Sequence, residues 1–370
     1  MVKAVFRKER RKLRGIISAV GLMSLVTGLP SAAVGSELWF FPGDHPSIRS
    51  RHQYPPNDYM NLFSEETPWQ GAPSDVAVFV ATEASILHAP ERDLRTILRF
   101  LNSRHIDLAM TVDFYTLVSS PDECVSLSKR FSAAANRVRQ AAARVKELGG
   151  KIRYADMDEP FYFTAISTGK GSLAGTGTAA FGCRYPVAQV ASGVAQAVVA
   201  LKAVFPDIEI GDSEPIVDWD PENRFGVSTE AYLSALKDWI SSYRSATGEP
   251  LRFLHADISW TPVPHHKRSN WRDVLRAVAD HLARIQVKLG IYYNGERLSS
   301  LAADPNKAWA EAAVKRFMQV EAELGITPAH AIISAWGKYP ARILPESDAG
   351  TLSWVLDKYI EWRRRVRSRS

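Results

Sequence analysis

Cysteine is scarce in this chain of 370 residues: there are two, Cys124 and Cys183. Neither lies in a C-x-x-C pair and no H-E-x-x-H occurs, so the usual zinc spacings are absent. The adjacent His265 and His266 read as a solvated loop pair. No G-x-G-x-x-G follows the first β-rich run, which argues against an open dinucleotide-binding sheet, and no Walker pattern is present. Long apolar runs are also missing. The longest, Gly15 to Leu29, spans about fifteen residues, short of the roughly 20 that a membrane helix needs. No later segment is expected to span a bilayer.

Excess charge of one sign is missing from the body of the chain. The formal net charge is +6, but residues 1–36 hold seven basic residues and one acid, and the chain without them has 39 of each sign. Five more arginines sit in the tail at 363–370. The body between is mildly acidic, which excludes a basic nucleic-acid footprint on the folded part.

The first 36 residues have the pattern of an export signal: a basic stretch to Arg14, the apolar run, then small residues at Ser31-Ala32-Ala33. The expected organisation is therefore a leader over 1–36, one folded domain over 37–362 and a basic tail over 363–370, in a periplasmic or secreted protein. In such a compartment Cys124 and Cys183 can pair as a disulfide or stay as two thiols.

Beyond the leader, short β-rich runs alternate with amphipathic ones. Strands are expected at Leu38–Pro42, Val76–Ala81, Asp107–Val112, Ile152–Met157, Ile208–Gly211, Arg252–Ala256, Gly290–Asn294 and Ala331–Ala335. Helices are expected at Glu91–Arg104, Pro121–Leu148, Val187–Phe205, Thr229–Ala246, Trp271–Lys288, Asn306–Leu324 and Thr351–Arg365. Eight βα units in one domain predict a (β/α)₈ TIM barrel, with insertions at 161–186 after strand four and 213–227 after strand five. The first unit is the weakest, because Ser47–Gln70 shows little helical period. In a barrel Cys124 and Cys183 fall toward one face, where a disulfide would pin the first insertion.

The chemistry of a barrel sits at the carboxyl ends of its strands. Those positions hold Glu83, Asp113, Asp156, Asp158, Glu159, Asp212, Glu214, Asp257 and Glu296, with rim aromatics that include Trp260, Tyr292, Tyr293 and Trp336. Carboxylates with aromatic walls suit a sugar: aromatic faces cover its C–H surface and carboxylates take its hydroxyls and protons.

Asp158-Glu159-Pro160 at strand four resembles the Asn-Glu-Pro signature of the retaining glycoside hydrolases of clan A. The resemblance implies a general acid/base at Glu159 and a nucleophile at Glu296, at the end of strand seven. It also implies a sugar platform at Trp336, in Ser334-Ala335-Trp336-Gly337. Asp113, Asp158, Glu214, Asp257, Tyr293 and Trp260 are then candidates for binding an oligo- or polysaccharide, and no cofactor or metal is required. The chain departs from the signature at Asp158, which stands where the family has asparagine. A carboxylate there raises the pKa of Glu159 by like-charge proximity. Two other readings are carried. One is a divalent-metal sugar isomerase or lyase using the strand-end acids with His255. The other is a non-catalytic carbohydrate-binding barrel.

Overall fold

A computed structural model of the chain describes residues 35–48, 56–64, 74–114, 127–166, 185–216, 229–258, 260, 271–295, 302–335 and 337–368. Eight parallel strands close into a barrel in sequence order: β1 (Glu37–Phe41), β2 (Val78–Thr82), β3 (Asp107–Asp113), β4 (Ile152–Asp158), β5 (Glu209–Ile216), β6 (Phe253–Ile258), β7 (Lys288–Tyr293) and β8 (His330–Ser334). β8 returns to β1 with Trp39 opposite Ile332, which completes the ring. Residues 1–34 of the expected leader and both cysteines lie outside the described residues.

The helices are α1 (Glu83–His88), α2 (Glu91–Arg104), α3 (Leu127–Glu147), α4 (Val187–Val204), α5 (Thr229–Thr247), α6 (Trp271–Ile285), α7 (Pro305–Phe317) and α8 (Leu352–Arg367). Between β1 and β2 the described residues hold a 3₁₀ turn at Tyr59–Phe63, in line with the weak period of that unit. The arginines at 363–367 belong to the end of α8, where Arg363 donates to the Tyr359 hydroxyl (3.0 Å) and Arg364 meets Asp75 (2.6 Å).

Local signals fix the ends. Thr82 accepts from the Ser85 N–H (3.1 Å) and so caps α1, and Asp304 does the same for α7 from Lys307 (3.1 Å). α6 stops at Ile285, short of the expected Lys288, because Gln286 turns into the left-handed region (φ 58°) and Lys288 is already paired with Phe253 in the sheet.

α4 bears on the expectation that no later segment spans a bilayer. Its 18 residues have a mean hydropathy of 1.5, long and apolar enough to cross a membrane by length and composition alone. Here Val190, Val194, Ala197, Val198 and Leu201 are buried in the core of the barrel.

Side chains alternate between two faces along each strand. One face of each strand, with Phe79, Met110, Ala155, Leu254 and Ile291, meets the helices in the main core. The other encloses a smaller cluster of Trp39, Phe41, Val78, Val80, Ala109, Tyr154, Phe253, Tyr292 and Ile332, the filled barrel interior. Two glycines make room for rings there. A Cβ on Gly211 would lie 2.0 Å from the Phe253 ring, and one on Gly290 would lie 2.2 Å from the His255 ring.

Candidate active site

The inner face of β4 presents Tyr154, Asp156 and Asp158 in turn. Asp156 is 1% exposed, and its Oδ2 accepts from the Tyr292 hydroxyl (2.7 Å) and faces His255 Nδ1 (2.8 Å). A polar column continues from there. His255 Nε2 is 2.9 Å from His330 Nδ1, and His330 Nε2 is 3.6 Å from Glu37 Oε2, which also accepts from the Tyr154 hydroxyl (3.2 Å). Trp39 stacks on His330 (4.8 Å) and Phe253 on His255 (4.4 Å). Burial, then His255 and Lys288, push the His330 imidazole down to about 2, so it is neutral.

Above this column the strand ends carry acids. Asp113 is in register with Asp158 across β3 and β4, and Asp257 stands near the end of β6 on the same inner face as His255. All three are half-buried. Burial first, then Asp113, Asp156 and Asp257, hold the Asp158 carboxyl well above the usual carboxylate range, against a hydrogen bond from Ser213. Burial and then Asp156 push Asp257 up to about 7.

Glu159 follows directly on β4. Its backbone is left-handed (φ 56°), a conformation that costs a residue with a Cβ roughly 1–2 kcal/mol. The turn is held by its own N–H, which donates to the Ser213 carbonyl (2.9 Å). Burial, then Asp158, Asp257, Asp113 and Asp212, hold its carboxyl well above the usual range.

Three expected binding residues point away from this mouth. Glu214 is on the outer face of β5, which runs on to Ile216 and does not end at Gly211. Residues 213–216 pair with β6 (Ser213 with His255, Glu214 with Ala256), so they are strand and not insertion. The two Glu214 oxygens accept the Phe161 N–H (2.8 Å) and the Tyr162 N–H (2.9 Å), which ties down the turn after Glu159. Asp212, on the same outer face, accepts from Trp239 Nε1 of α5 (2.6 Å). Tyr293 likewise faces outward, donating to Glu321 (2.9 Å) in the π-helical segment Met318–Glu323. Trp260 keeps the outward parity of Ile258 and packs on Trp271 (5.0 Å) and under Arg316 (5.1 Å). Glu83 is 3% exposed and paired with Arg137 Nε of α3 (2.7 Å).

The residues brought together are thus Asp113, Asp156, Asp158, Glu159, Asp257 and Tyr292. Glu296, Trp336 and the Cys124–Cys183 pair lie outside the described residues. Asp156 and Tyr292 read from the sequence as strand-end groups, but their direct contact does not. Its signal is the spacing of two from Asp158 and from Gly290. Nothing in the sequence singles out His330, since a histidine opening an apolar strand carries little signal. Among the described residues no group of three or more His, Cys, Asp or Glu is placed to hold a metal ion.

Fold and site together define a (β/α)₈ barrel with an acidic mouth. No known family and no curated protein matches the sequence. Among solved structures the chain is similar to a fungal β-1,4-galactanase, at 12% identity over 87% of this chain and 98% of that one, with a TM-score of 0.48. It is similar to a psychrophilic glycoside hydrolase family 10 endo-β-1,4-xylanase, at 10% identity over 88% and 96%, TM-score 0.48. It is also similar to morphinone reductase in complex with tetrahydroNAD, at 12% identity over 81% of each chain, TM-score 0.42.

Proposed function

We propose that the chain is an exported glycoside hydrolase whose general acid/base is Glu159. The observation that carries this is the left-handed backbone of Glu159 at the carboxyl end of β4. A strained glutamate held by a neighbouring strand and surrounded by carboxylates is a group placed for chemistry. Its raised pKa supports the role, because an acid catalyst has to hold its proton near neutral pH.

In the proposed reaction Glu159 gives its proton to the glycosidic oxygen as the C–O bond breaks. Glu296, assigned by resemblance, attacks the anomeric carbon and forms a glycosyl ester. Glu159, now a carboxylate, takes a proton from water, which displaces Glu296 and releases the sugar with retained configuration. Asp113, Asp158 and Asp257 receive sugar hydroxyls at the mouth, and the resemblance assigns Trp336 as the platform for the ring.

The test is a screen of the purified protein on aryl glycosides and polysaccharides, with Glu159→Gln and Glu296→Gln measured beside it. Each substitution should lower turnover by about 10²-fold or more. Glu159→Ala should lose least on aryl glycosides with the most acidic leaving groups, which need no proton. Wild-type turnover in Glu159→Gln, or a loss independent of the leaving group, overturns the assignment. Export is tested by the mass of the chain recovered outside the cytoplasm, which should lack about 36 residues.

A further inference from the structure

The buried acids of this molecule are met by donors almost everywhere. Glu83 has Arg137, Glu321 has the hydroxyls of Tyr293 and Tyr359, Asp212 has Trp239, and Glu214 has two backbone N–H groups. The mouth is the exception. Among the described residues, Asp158, Glu159 and Asp257 have no ion pair with any lysine, arginine or histidine, and their nearest charged neighbours are other carboxyls.

A second observation lies on the same inner face. Asn294 is 2% exposed, and both its amide oxygen and its amide nitrogen lack a hydrogen-bond partner among the described residues. It continues the inward parity of Gly290 and Tyr292. Asp156 Oδ1, Thr111 Oγ1 and Ser334 Oγ are likewise buried without partners there, all at inward positions of their strands. Desolvated polar atoms left unpaired are costly, so such a set marks a place that a polar ligand completes. The mixture is specific: carboxyls without a positive charge, beside hydroxyl and amide groups that can both donate and accept.

We infer that the mouth takes a glycan with free amino groups, a hexosamine whose protonated ammonium lies between Asp158 and Asp257 while its hydroxyls reach Asn294 and Asp156 and Glu159 keeps its proton. This rests on the glycosidase reading and names its substrate class. An ammonium supplies the missing positive charge, and the hydroxyls pair with both ends of the Asn294 amide. A neutral glycan leaves the crowded carboxylates without a counter-charge. A bare divalent ion can take the Asn294 amide oxygen but leaves the amide nitrogen without an acceptor, and no metal-holding cluster is found among the described residues.

A physical consequence separates this ligand from others. Crowding favours the protonated forms of Asp158 and Asp257, and an ammonium favours their ionised forms, so binding releases protons. The experiment is calorimetry on the wild-type full chain with tetrasaccharides of glucosamine and of galactosamine. Their N-acetylated counterparts and a neutral glucose tetrasaccharide are titrated beside them, in buffers of different ionisation enthalpy and at low and high salt. One amino tetrasaccharide should bind at least about tenfold more tightly than its N-acetylated form, a difference of about 1.4 kcal/mol. It should release protons and weaken with salt, and Asp257→Asn should reduce both the preference and the proton release. Equal affinity for the N-acetylated or neutral sugar, no binding of either amino sugar, or proton-neutral binding overturns the inference. So does saturable binding of Ca²⁺ or Mg²⁺ that blocks the amino sugar. Hydrolysis of neutral glycans alone, lost in Glu159→Gln, overturns the amino-sugar class and keeps the glycosidase. Binding of the amino tetrasaccharide with no turnover of any glycan does the reverse.

Discussion

The two faces of the same strands put carboxylates to opposite uses. On the inner face, Asp158 and Asp257 crowd at an open mouth with little to neutralise them. On the outer face of β5, Asp212 and Glu214 are fully buried and tied to Trp239 and to the Phe161 and Tyr162 amides. Both sets are held above the ordinary carboxylate range, with burial the first cause in each. A raised pKa therefore does not separate a site from a structural support here. What separates them is their partners. The outer acids are tied to Trp239 and to the turn after β4, with Asp212 Oδ1 left over, whereas Asp158 has one long hydrogen bond from Ser213 (3.5 Å) and Asp257 faces another carboxyl.

The largest effect expected from this division is on turnover. Glu159→Gln should lower kcat by about 10²–10⁴-fold while leaving the folded barrel intact, as read by initial rates and by circular dichroism on one preparation. Unchanged turnover would remove the inner face from the chemistry altogether.

Acidity should act on the whole fold, and the sign is unusual. Asp257 and Glu83 rise to about 7 from ordinary values of 3.8 and 4.5, so the folded state holds protons that the unfolded chain releases. The stability these groups contribute is fully present below about pH 4 and is lost as pH rises through about 7. Each group accounts for a fall of up to about 1.36 kcal/mol for every pH unit crossed in that window. Urea unfolding midpoints should accordingly fall between those pH values, and Asp257→Asn should flatten the fall. A midpoint that rises across this window refutes the crowded-carboxyl picture.

On the outer face the change is local. Trp239→Phe deprives the buried Asp212 of its Nε1–H donor and should cost about 1–3 kcal/mol in unfolding free energy, with turnover per folded molecule unchanged. Lost turnover at unchanged stability would show that the outer acids reach the chemistry.

The barrel is legible in the sequence because its alternation is local. All eight strands can be read there, with starts within two residues of those observed. The strand whose far end reads badly is β5. Asp212-Ser213-Glu214-Pro215 is polar and contains proline, so it reads as a turn. It is strand because β6 pairs with it, and because α5 and the turn after β4 supply donors to its acids. Those partners are distant in sequence. Face is harder to read than position, since a shift of one residue moves a side chain from mouth to helix layer. Glu214, Tyr293 and Trp260 all stand at or just past strand ends, and all face the helix layer instead of the mouth. Asp158 and Asp257 are mouth residues in sequence and structure alike, and Asp156 lies two residues from Asp158 on the same face.

The adjacent tyrosines of β7 give the finest test, because one chemical change can be made on each face of one strand. The Tyr292 hydroxyl is one of two groups on Asp156 Oδ2, with His255 the other. The Tyr293 hydroxyl is one of two on Glu321 Oε1, with Tyr359 the other. Tyr292→Phe and Tyr293→Phe each remove one buried hydrogen bond and leave one, so each should lose about 0.5–1.5 kcal/mol of stability. Their effects on the reaction should differ. Freed from Tyr292, Asp156 loses one of the two contacts that orient it beneath the mouth, and kcat/KM should fall by about tenfold, equivalent to about 1.36 kcal/mol. Tyr293→Phe relaxes only the contact between β7 and the helix layer, and its kcat/KM should match the wild type. If both variants lower kcat/KM alike for the same loss of stability, the faces are not functionally distinct and Asp156 is part of the scaffold.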